Sequence, residues 1–111
     1  MEARTIDQDR SAAYDSENRD RRLRLNEEAI LGYVGEQRID FAPREWQLIS
    51  YMVKNKGRAI PFQEILEKVF LNPSASHNLV IVYVLRVNRR LAAVNCSQRI
   101  ESVRAVGYRW M

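Results

Sequence analysis

Residues 78–91 (NLVIVYVLRVNRRL) place apolar and polar side chains with the period of an α-helix. Four apolar residues recur at spacings of four, three and four, which at about 100° per residue forms one narrow stripe: Val80, Val84, Val87 and Leu91. The opposite side carries Asn78, Val82, Arg86 and Arg89. A strand of this length would be unusually long and would put arginines on both faces. The pattern therefore predicts a helix with one buried side and one exposed, cationic side.

Three short strands are predicted earlier in the chain. The apolar positions alternate with polar ones or form a short run: Leu23, Leu25, residues 29–34, Ile39 and Phe41. Gly35 and Glu36 mark a turn before the last of these segments. We expect the three strands to form a small antiparallel sheet.

Two further helices are predicted, each opened by a proline. Pro43 suits the first helical position, where its missing N–H costs nothing, and Gly57 is expected to end this helix. Pro61 is expected to start the second. Their buried positions are Trp46, Ile49, Met52 and Val53, then Ile65, Leu66, Val69 and Phe70. Ala42 has no side-chain acceptor, so the first helix should lack about 1 kcal/mol of capping energy. Residues 71–77 (LNPSASH) form a loop, because Asn-Pro breaks a helix.

The C-terminal residues 99–111 predict a β-hairpin. Ile100 and Val103 begin it, residues 105–107 turn, and Tyr108 and Trp110 return. An N-terminal antiparallel sheet, a core of three helices and a two-stranded ribbon have the outline of an α+β winged helix-turn-helix. An arginine on the ribbon, Arg104, would be well placed to enter a DNA minor groove.

Charge is distributed unevenly along the 111 residues. The net charge is +4, with a pI of about 9.6, which favours an anionic partner. Residues 78–111 contain six arginines and one acid, whereas residues 1–22 contain five arginines and six acids. The first 22 residues hold too little apolar surface to offset ordering entropy. We interpret 1–22 as a flexible tail or interdomain linker and 23–111 as the folded domain.

Other residue types give no sign of an enzyme. His77 stands alone in a loop, without the partners of a metal site, and is expected to be a polar residue on the surface or at a helix start. Cys96 has no histidine at a nucleophile's spacing, and the paired carboxylates of Glu64 and Glu67 are expected to be solvated on a helix surface. No cofactor or metal is expected. A single cysteine fits a reducing compartment, and no apolar run approaches a membrane span, so we expect a cytoplasmic protein.

Several strings in register resemble the DNA-binding effector domain of OmpR/PhoB-type response regulators. They are APREW at the first helix, GRAIPFQEIL leading into the second, the long third helix, and VRAVGYRW at the end. The resemblance covers Leu23 to Trp110. It implies a sequence-specific, double-stranded DNA-binding transcriptional regulator, which binds direct repeats as a homodimer. It also implies an N-terminal receiver domain in a longer protein.

The resemblance also implies roles for individual residues. Arg86 would be the main base contact, Val82 an apolar base contact and Arg104 the minor-groove residue. The DNA-binding set as a whole would be Asn78, Leu79, Val82, Tyr83, Arg86, Asn88, Arg89, Ser102 and Arg104. Of these, Tyr83, Asn88 and Arg89 would lie near phosphates, and Ser102 would touch backbone at the wing. The loop before the third helix would contact RNA polymerase through Asn72, Pro73, Ser74, Ala75 and Ser76.

Four positions depart from the family pattern. Asn78 replaces an arginine, Ile81 an aspartate and Leu85 a basic residue, while Ala105 replaces a glycine of the wing turn. Ile81 and Leu85 could pack against the wing, meet thymine methyl groups or bind a partner protein. The alternative function is therefore a winged-helix protein-interaction module with reduced or lost DNA binding. A left-handed conformation at Ala105 would cost roughly 1 kcal/mol.

Overall fold

A computed structural model describes residues 21–111 and has the predicted α+β architecture. The predicted tail lies outside the described residues apart from its last two, Arg21 and Arg22. Arg21 is bound to the domain: its guanidinium donates to the carbonyl oxygens of Val94 and Asn95, and its own carbonyl accepts from Ser97 N at 2.9 Å.

The N-terminal sheet contains the three predicted strands, β1 (Leu23–Asn26), β2 (Leu31–Val34) and β3 (Gln37–Ile39), in antiparallel order. The prediction for residues 29–34 was wrong at its start. Ile30 lies in the β1–β2 turn with φ of 57° and is 52% exposed. Phe41 follows β3 and is buried in the core. The turn extends to Ile30, and the Asn26 side chain accepts from Ala29 N at 3.0 Å, which closes a local loop.

Helix α1 spans Pro43–Lys54, with Pro43 as its first residue as predicted. It ends before Gly57, contrary to expectation, because Asn55 is the C-cap and its side chain donates to Tyr51 O at 2.8 Å. The missing cap at Ala42 is compensated by Glu45, whose carboxylate accepts from Ala42 N at 2.9 Å. Ile49 and Met52 are fully buried, whereas Trp46 and Val53 are only partly buried. Leu48, which the periodicity did not select, is fully buried too.

Pro61 does not start the second helix. Ile60–Pro61 forms a two-residue strand, β4, and helix α2 spans Phe62–Lys68 with Pro61 as its N-cap. β4 pairs with the C-terminal hairpin, and Gly107 makes this pairing feasible. A Cβ atom at Gly107 would lie 2.0 Å from Ile60 O. The sequence pattern could not show this pairing, since it joins residues far apart in the chain.

Helix α3 spans His77–Ala93, and the hairpin consists of β5 (Ile100–Val103) and β6 (Gly107–Trp110). The second sheet has the order β4-β6-β5. Trp110 is 2% exposed and belongs to the same core cluster as buried residues of all three helices. The apolar side of α3 therefore packs against the core, and β5 of the hairpin lies beside α3.

Glu64 is not simply solvated, so that prediction was wrong. Tyr51 Oη donates to Glu64 Oε2, and Arg58 Nη1 donates to Glu64 Oε1 at 3.0 Å. Arg58 and Tyr51 lower the pKa of Glu64 to about 2 by hydrogen bonding to its charged form. This cluster joins α1, α2 and the turn between them.

Candidate nucleic-acid interface

Helix α3 is divided into a buried and an exposed side as its periodicity predicted. Val80, Val84, Val87 and Leu91 are all buried. On the opposite side, Asn78, Arg86 and Arg89 are exposed and Val82 is half-buried. Leu79 is half-buried and packs against the core, which separates it from the exposed set. The outer side of α3 therefore presents cations and small apolar groups to solvent.

Arg86 rests on an aromatic support. Its guanidinium carbon lies 5.1 Å from the Tyr83 ring centroid, and the centroids of the Tyr83 and Phe70 rings are 5.5 Å apart. A cation over an aromatic face is attracted by the ring quadrupole. Tyr83 is half-buried, so its ring has a fixed position, and its contact with Arg86 limits the conformations of that side chain. Arg86 itself remains exposed.

The Asn88 side chain is already engaged within the protein. Its Nδ2 donates to Ile100 O at 2.9 Å, and its Oδ1 accepts from Ile100 N at 2.9 Å. Ile100 is the first residue of β5 and is buried. This paired contact ties the hairpin to α3. Sequence reasoning gave no signal for it, because an asparagine on a helix surface has no evident partner twelve residues later.

Arg90 was also missed as a structural residue. Its Nε donates to Glu45 Oε1, and Glu45 is 3% exposed. The same carboxylate oxygen accepts from Ala42 N, so Glu45 caps α1 and binds α3 at once. The sequence offered one signal for the cap, an acid three residues after Ala42, and none for the partner Arg90. Among the described residues, Arg90 is thus the arginine of α3 that forms an ion pair within the fold.

The hairpin turn carries the predicted wing residues on its exposed side. Ser102 lies in β5 and Arg104 in the turn, and both are exposed. Ala105 has φ of 66°, which is the left-handed conformation that was expected to be costly for alanine. The turn is closed by Val106 N, which donates to Val103 O at 3.0 Å.

Four arginines of α3 and the hairpin region have no acidic partner among residues 21–111: Arg86, Arg89, Arg99 and Arg104. All four are exposed. Arg99 was counted in the charge but not predicted as a site residue. It lines a hollow of about 350 Å³ between α3 and residues 96–99, together with Leu85, Asn88 and Arg89. The positive potential of the domain is therefore concentrated along one helix and the adjoining hairpin.

A family model described as "Transcriptional regulatory protein, C terminal" matches residues 35–110. The chain belongs to this family. The transcriptional regulatory protein YkoG of Bacillus subtilis is 30% identical over 87 residues, which are 78% of this chain and 38% of the relative. The chain thus spans about two fifths of the length of the curated relatives it matches. Domains of this family are transcription-factor domains and not enzymes.

Solved structures of response regulators share the fold. The DNA-binding domain of the response regulator AdeR, solved in complex with an intercistronic region, superposes with a TM-score of 0.71 at 19% identity, covering 79% of this chain and 90% of that one. The Thermotoga maritima OmpR/PhoB homologue DrrB superposes with a TM-score of 0.70 at 19% identity, covering 80% and 41%. The resemblance to OmpR/PhoB-type effector domains is confirmed, as is the winged-helix fold.

In this response-regulator domain, the loop before α3 is only partly available. Ser76 is the N-cap of α3, since its Oγ accepts from Asn78 N at 3.0 Å, and Ala75 packs against the core. Asn72, Pro73, Ser74 and Ser76 are exposed, and Ala75 is half-buried. His77 is the first helical residue, so the loop is one residue shorter than predicted and the expected helix-start position is confirmed. Its ring stacks on Phe62 with centroids 4.6 Å apart.

The other candidate groups named from the sequence have the following surroundings. Among the described residues, no group of three metal-binding side chains occurs, and no helix is long and apolar enough to cross a membrane. Burial raises the pKa of the Cys96 thiol, which disfavours the thiolate that a nucleophile requires. Trp46 packs against Phe41, with centroids 6.4 Å apart, rather than standing free for base stacking.

Proposed function

We propose that this domain binds double-stranded DNA in a sequence-specific manner to regulate transcription, with α3 in the major groove and the hairpin as a wing on the minor groove. The observation that carries the proposal is the exposed side of α3, where Arg86 and Arg89 have no acidic partner in the described chain and lie beside a hairpin whose turn carries Arg104. Unpaired arginines on one surface suit a polyanion, because each can displace a counterion from a phosphate.

Arg86 is the proposed base-specific contact. Its guanidinium has five donors in a planar fork, which matches the O6 and N7 acceptors of guanine. The Tyr83 ring restricts the Arg86 side chain before DNA binds, so Arg86 loses less rotamer entropy when it contacts a base. Val82, four residues before Arg86 on the same face, would contact a thymine methyl group, and Asn78 one turn earlier would contact an adenine edge.

The wing has a separate role in this proposal. Arg104 would enter the minor groove, where narrow A·T-rich segments concentrate negative potential, and Ser102 would bind the sugar-phosphate backbone. Arg89 and Arg99 would bind phosphates beside α3. Asn88, whose amide is occupied by Ile100, would position the wing relative to α3 instead of contacting a phosphate itself.

The wider biology is proposed on the same basis. The chain would act as the effector part of a cytoplasmic response regulator whose receiver domain precedes it, and it would bind direct repeats as a homodimer. Asn72, Pro73, Ser74 and Ser76 are exposed and would contact RNA polymerase. AdeR has been solved on DNA, which supports the docking mode by analogy of fold.

The test is selection of bound sequences from a random duplex pool, followed by titration of single variants. Arg86→Ala should weaken binding about 5-fold to 150-fold and relax the preference at one base pair. Arg104→Ala should weaken binding mainly at sites with A·T-rich flanks. Arg38→Ala, in the N-terminal sheet, is the matched control and should bind as the wild type does. If Arg86→Ala keeps full affinity and selectivity, the proposed docking is wrong.

A second candidate is a protein-interaction module, which the exposure of Leu85 at 51% and Ile81 at 37% favours. The two functions differ in their response to salt. If Arg89 and Arg99 bind phosphates as proposed, log K should fall with log salt concentration with a slope of about −2 per domain. An interaction module that has lost DNA binding would show no salt-dependent shift of random duplex DNA.

A further inference from the structure

The outer side of α3 exposes a continuous apolar surface beside its arginines. Leu85 is 51% exposed and Ile81 is 37% exposed, and Val82 is half-buried. Ile81 and Leu85 are one helical turn apart, and Val82 lies three residues before Leu85, so the three side chains are neighbours on the helix surface. We refer to Ile81, Val82 and Leu85 as the apolar patch. The hairpin does not cover it, since Leu85 retains half of its surface.

Cations border the apolar patch. Arg86 follows Val82 by one turn, and Arg89 follows Leu85 by one turn. Leu85, Arg89 and Arg99 line the same hollow of about 350 Å³ beside α3. An apolar protein partner would have to desolvate these arginines without a counter-charge, which is costly. A nucleic acid offers an acceptor to each of them, so the charge around the patch favours DNA as the occupant.

The position of the apolar patch along α3 determines which part of DNA it can meet. The helix begins at His77, so residues 81–85 lie in its N-terminal half. In helix-turn-helix domains the N-terminal residues of the recognition helix contact base edges. The 5-methyl group of thymine is the apolar group that base pairs present in the major groove.

Building on the proposed function, we infer that the apolar patch selects thymines, so that the target half-site contains thymines next to the guanine bound by Arg86. Leu85 and Ile81 are the added specificity determinants, with Val82 between them and Arg86. Burial of one methyl group changes an equilibrium constant about fourfold, and burial of two changes it about fifteenfold. The preference should therefore be measurable one thymine at a time.

The experiment replaces thymine by deoxyuridine, which removes only the 5-methyl group. Duplexes selected by the wild-type chain are synthesised with single and double replacements in the contacted region, and binding is titrated by fluorescence anisotropy. We expect a loss of about fourfold per contacted thymine. The Leu85→Ala variant should bind the wild-type duplex more weakly but should no longer distinguish thymine from deoxyuridine at one position.

Ile30→Ala provides the control, because Ile30 is 52% exposed but lies in the β1–β2 turn. This variant should retain the full preference for thymine. Equal affinity for thymine and deoxyuridine duplexes, with sequence-specific binding intact, would overturn the inference and leave the proposed function standing. An unchanged preference in Leu85→Ala and Ile81→Ala would overturn the assignment to the patch. Failure to bind any duplex would overturn both and favour a protein partner.

Discussion

Replacing Asn88 by alanine tests whether this residue serves the fold or the DNA. The family resemblance places it near a phosphate, whereas both polar atoms of its amide are bound to Ile100, at 2.9 Å each. Each hydrogen bond contributes about 1 kcal/mol, and water from the adjacent hollow can reach the freed groups in part. We therefore expect Asn88→Ala to reduce the free energy of unfolding by about 2 kcal/mol.

This loss should be visible in a thermal melt. The entropy of unfolding is about 2.1 cal/mol/K per residue, so for the roughly 90 described residues a loss of 2 kcal/mol lowers Tm by about 10 °C. Asn78→Ala is the matched control, because Asn78 lies on the exposed side of the same helix. Its side chain accepts no hydrogen bond that the fold depends on, so Tm should change by less than about 3 °C.

DNA binding provides the second readout for Asn88. If the residue only positions the wing, Asn88→Ala should lose affinity chiefly for sites with A·T-rich flanks, where Arg104 is proposed to act. The bases facing α3 should be selected as before. An unchanged Tm together with weaker binding to every duplex would refute this reasoning and restore a direct phosphate contact.

Three further predictions concern stability. Ala105→Gly should stabilise the domain by about 0.5 to 1 kcal/mol, because glycine adopts φ of 66° without strain; a chemical denaturation curve measures it, and a lower midpoint would contradict it. Gly107→Ala should destabilise by about 3 kcal/mol or prevent folding, since its Cβ would lie 2.0 Å from Ile60 O; a wild-type Tm would contradict it. The pKa of Glu64 is lowered from 4.5 to about 2, so its contribution is present above pH 4.5 and is lost as the pH falls towards 2. Melts over that range should show a shallower pH dependence for Glu64→Gln than for wild type, and equal slopes would contradict this.

Periodicity predicted most of the fold because burial follows it closely in long elements. All four residues of the predicted stripe of α3 are buried, and its bounds differ from the predicted helix by only one residue at the start and two at the end. In a helix of this length, the same spacing of apolar residues repeats over several turns. In α1, by contrast, the predicted stripe included Trp46 and Val53, which are only partly buried, and omitted Leu48, because neighbouring apolar positions leave the orientation of a shorter helix ambiguous.

The errors arose where a long-range partner overrides a local preference. Pro61 has the composition of a helix start, yet it pairs with Gly107 in a sheet, and nothing local indicates that strand partner. Glu64 was expected to be solvated, as one of two carboxylates on a helix surface. Its partners Arg58 and Tyr51 lie outside α2, so the helix pattern gave no sign of them. The site was predicted by type of residue and by position on the helix. Whether an individual side chain is free could not be predicted, since Asn88 and Arg89 are adjacent in sequence but only the first is bound.

The ion pairs explain why a modest net charge of +4 can still produce a strongly cationic surface. Acidic side chains pair with cations away from the outer side of α3. These pairs are Arg38–Asp40, Lys54–Glu27, Arg58–Glu64, Arg90–Glu45 and Arg109–Glu101. Each of these pairs removes one positive charge from the field that an approaching polyanion experiences. Arg90 and Arg89 show the division within a single helix turn, because Arg90 binds the buried carboxylate of Glu45 while Arg89 faces solvent. Binding energy for a polyanion must then come from arginines that the fold does not use, so variants at those positions should change affinity without changing Tm.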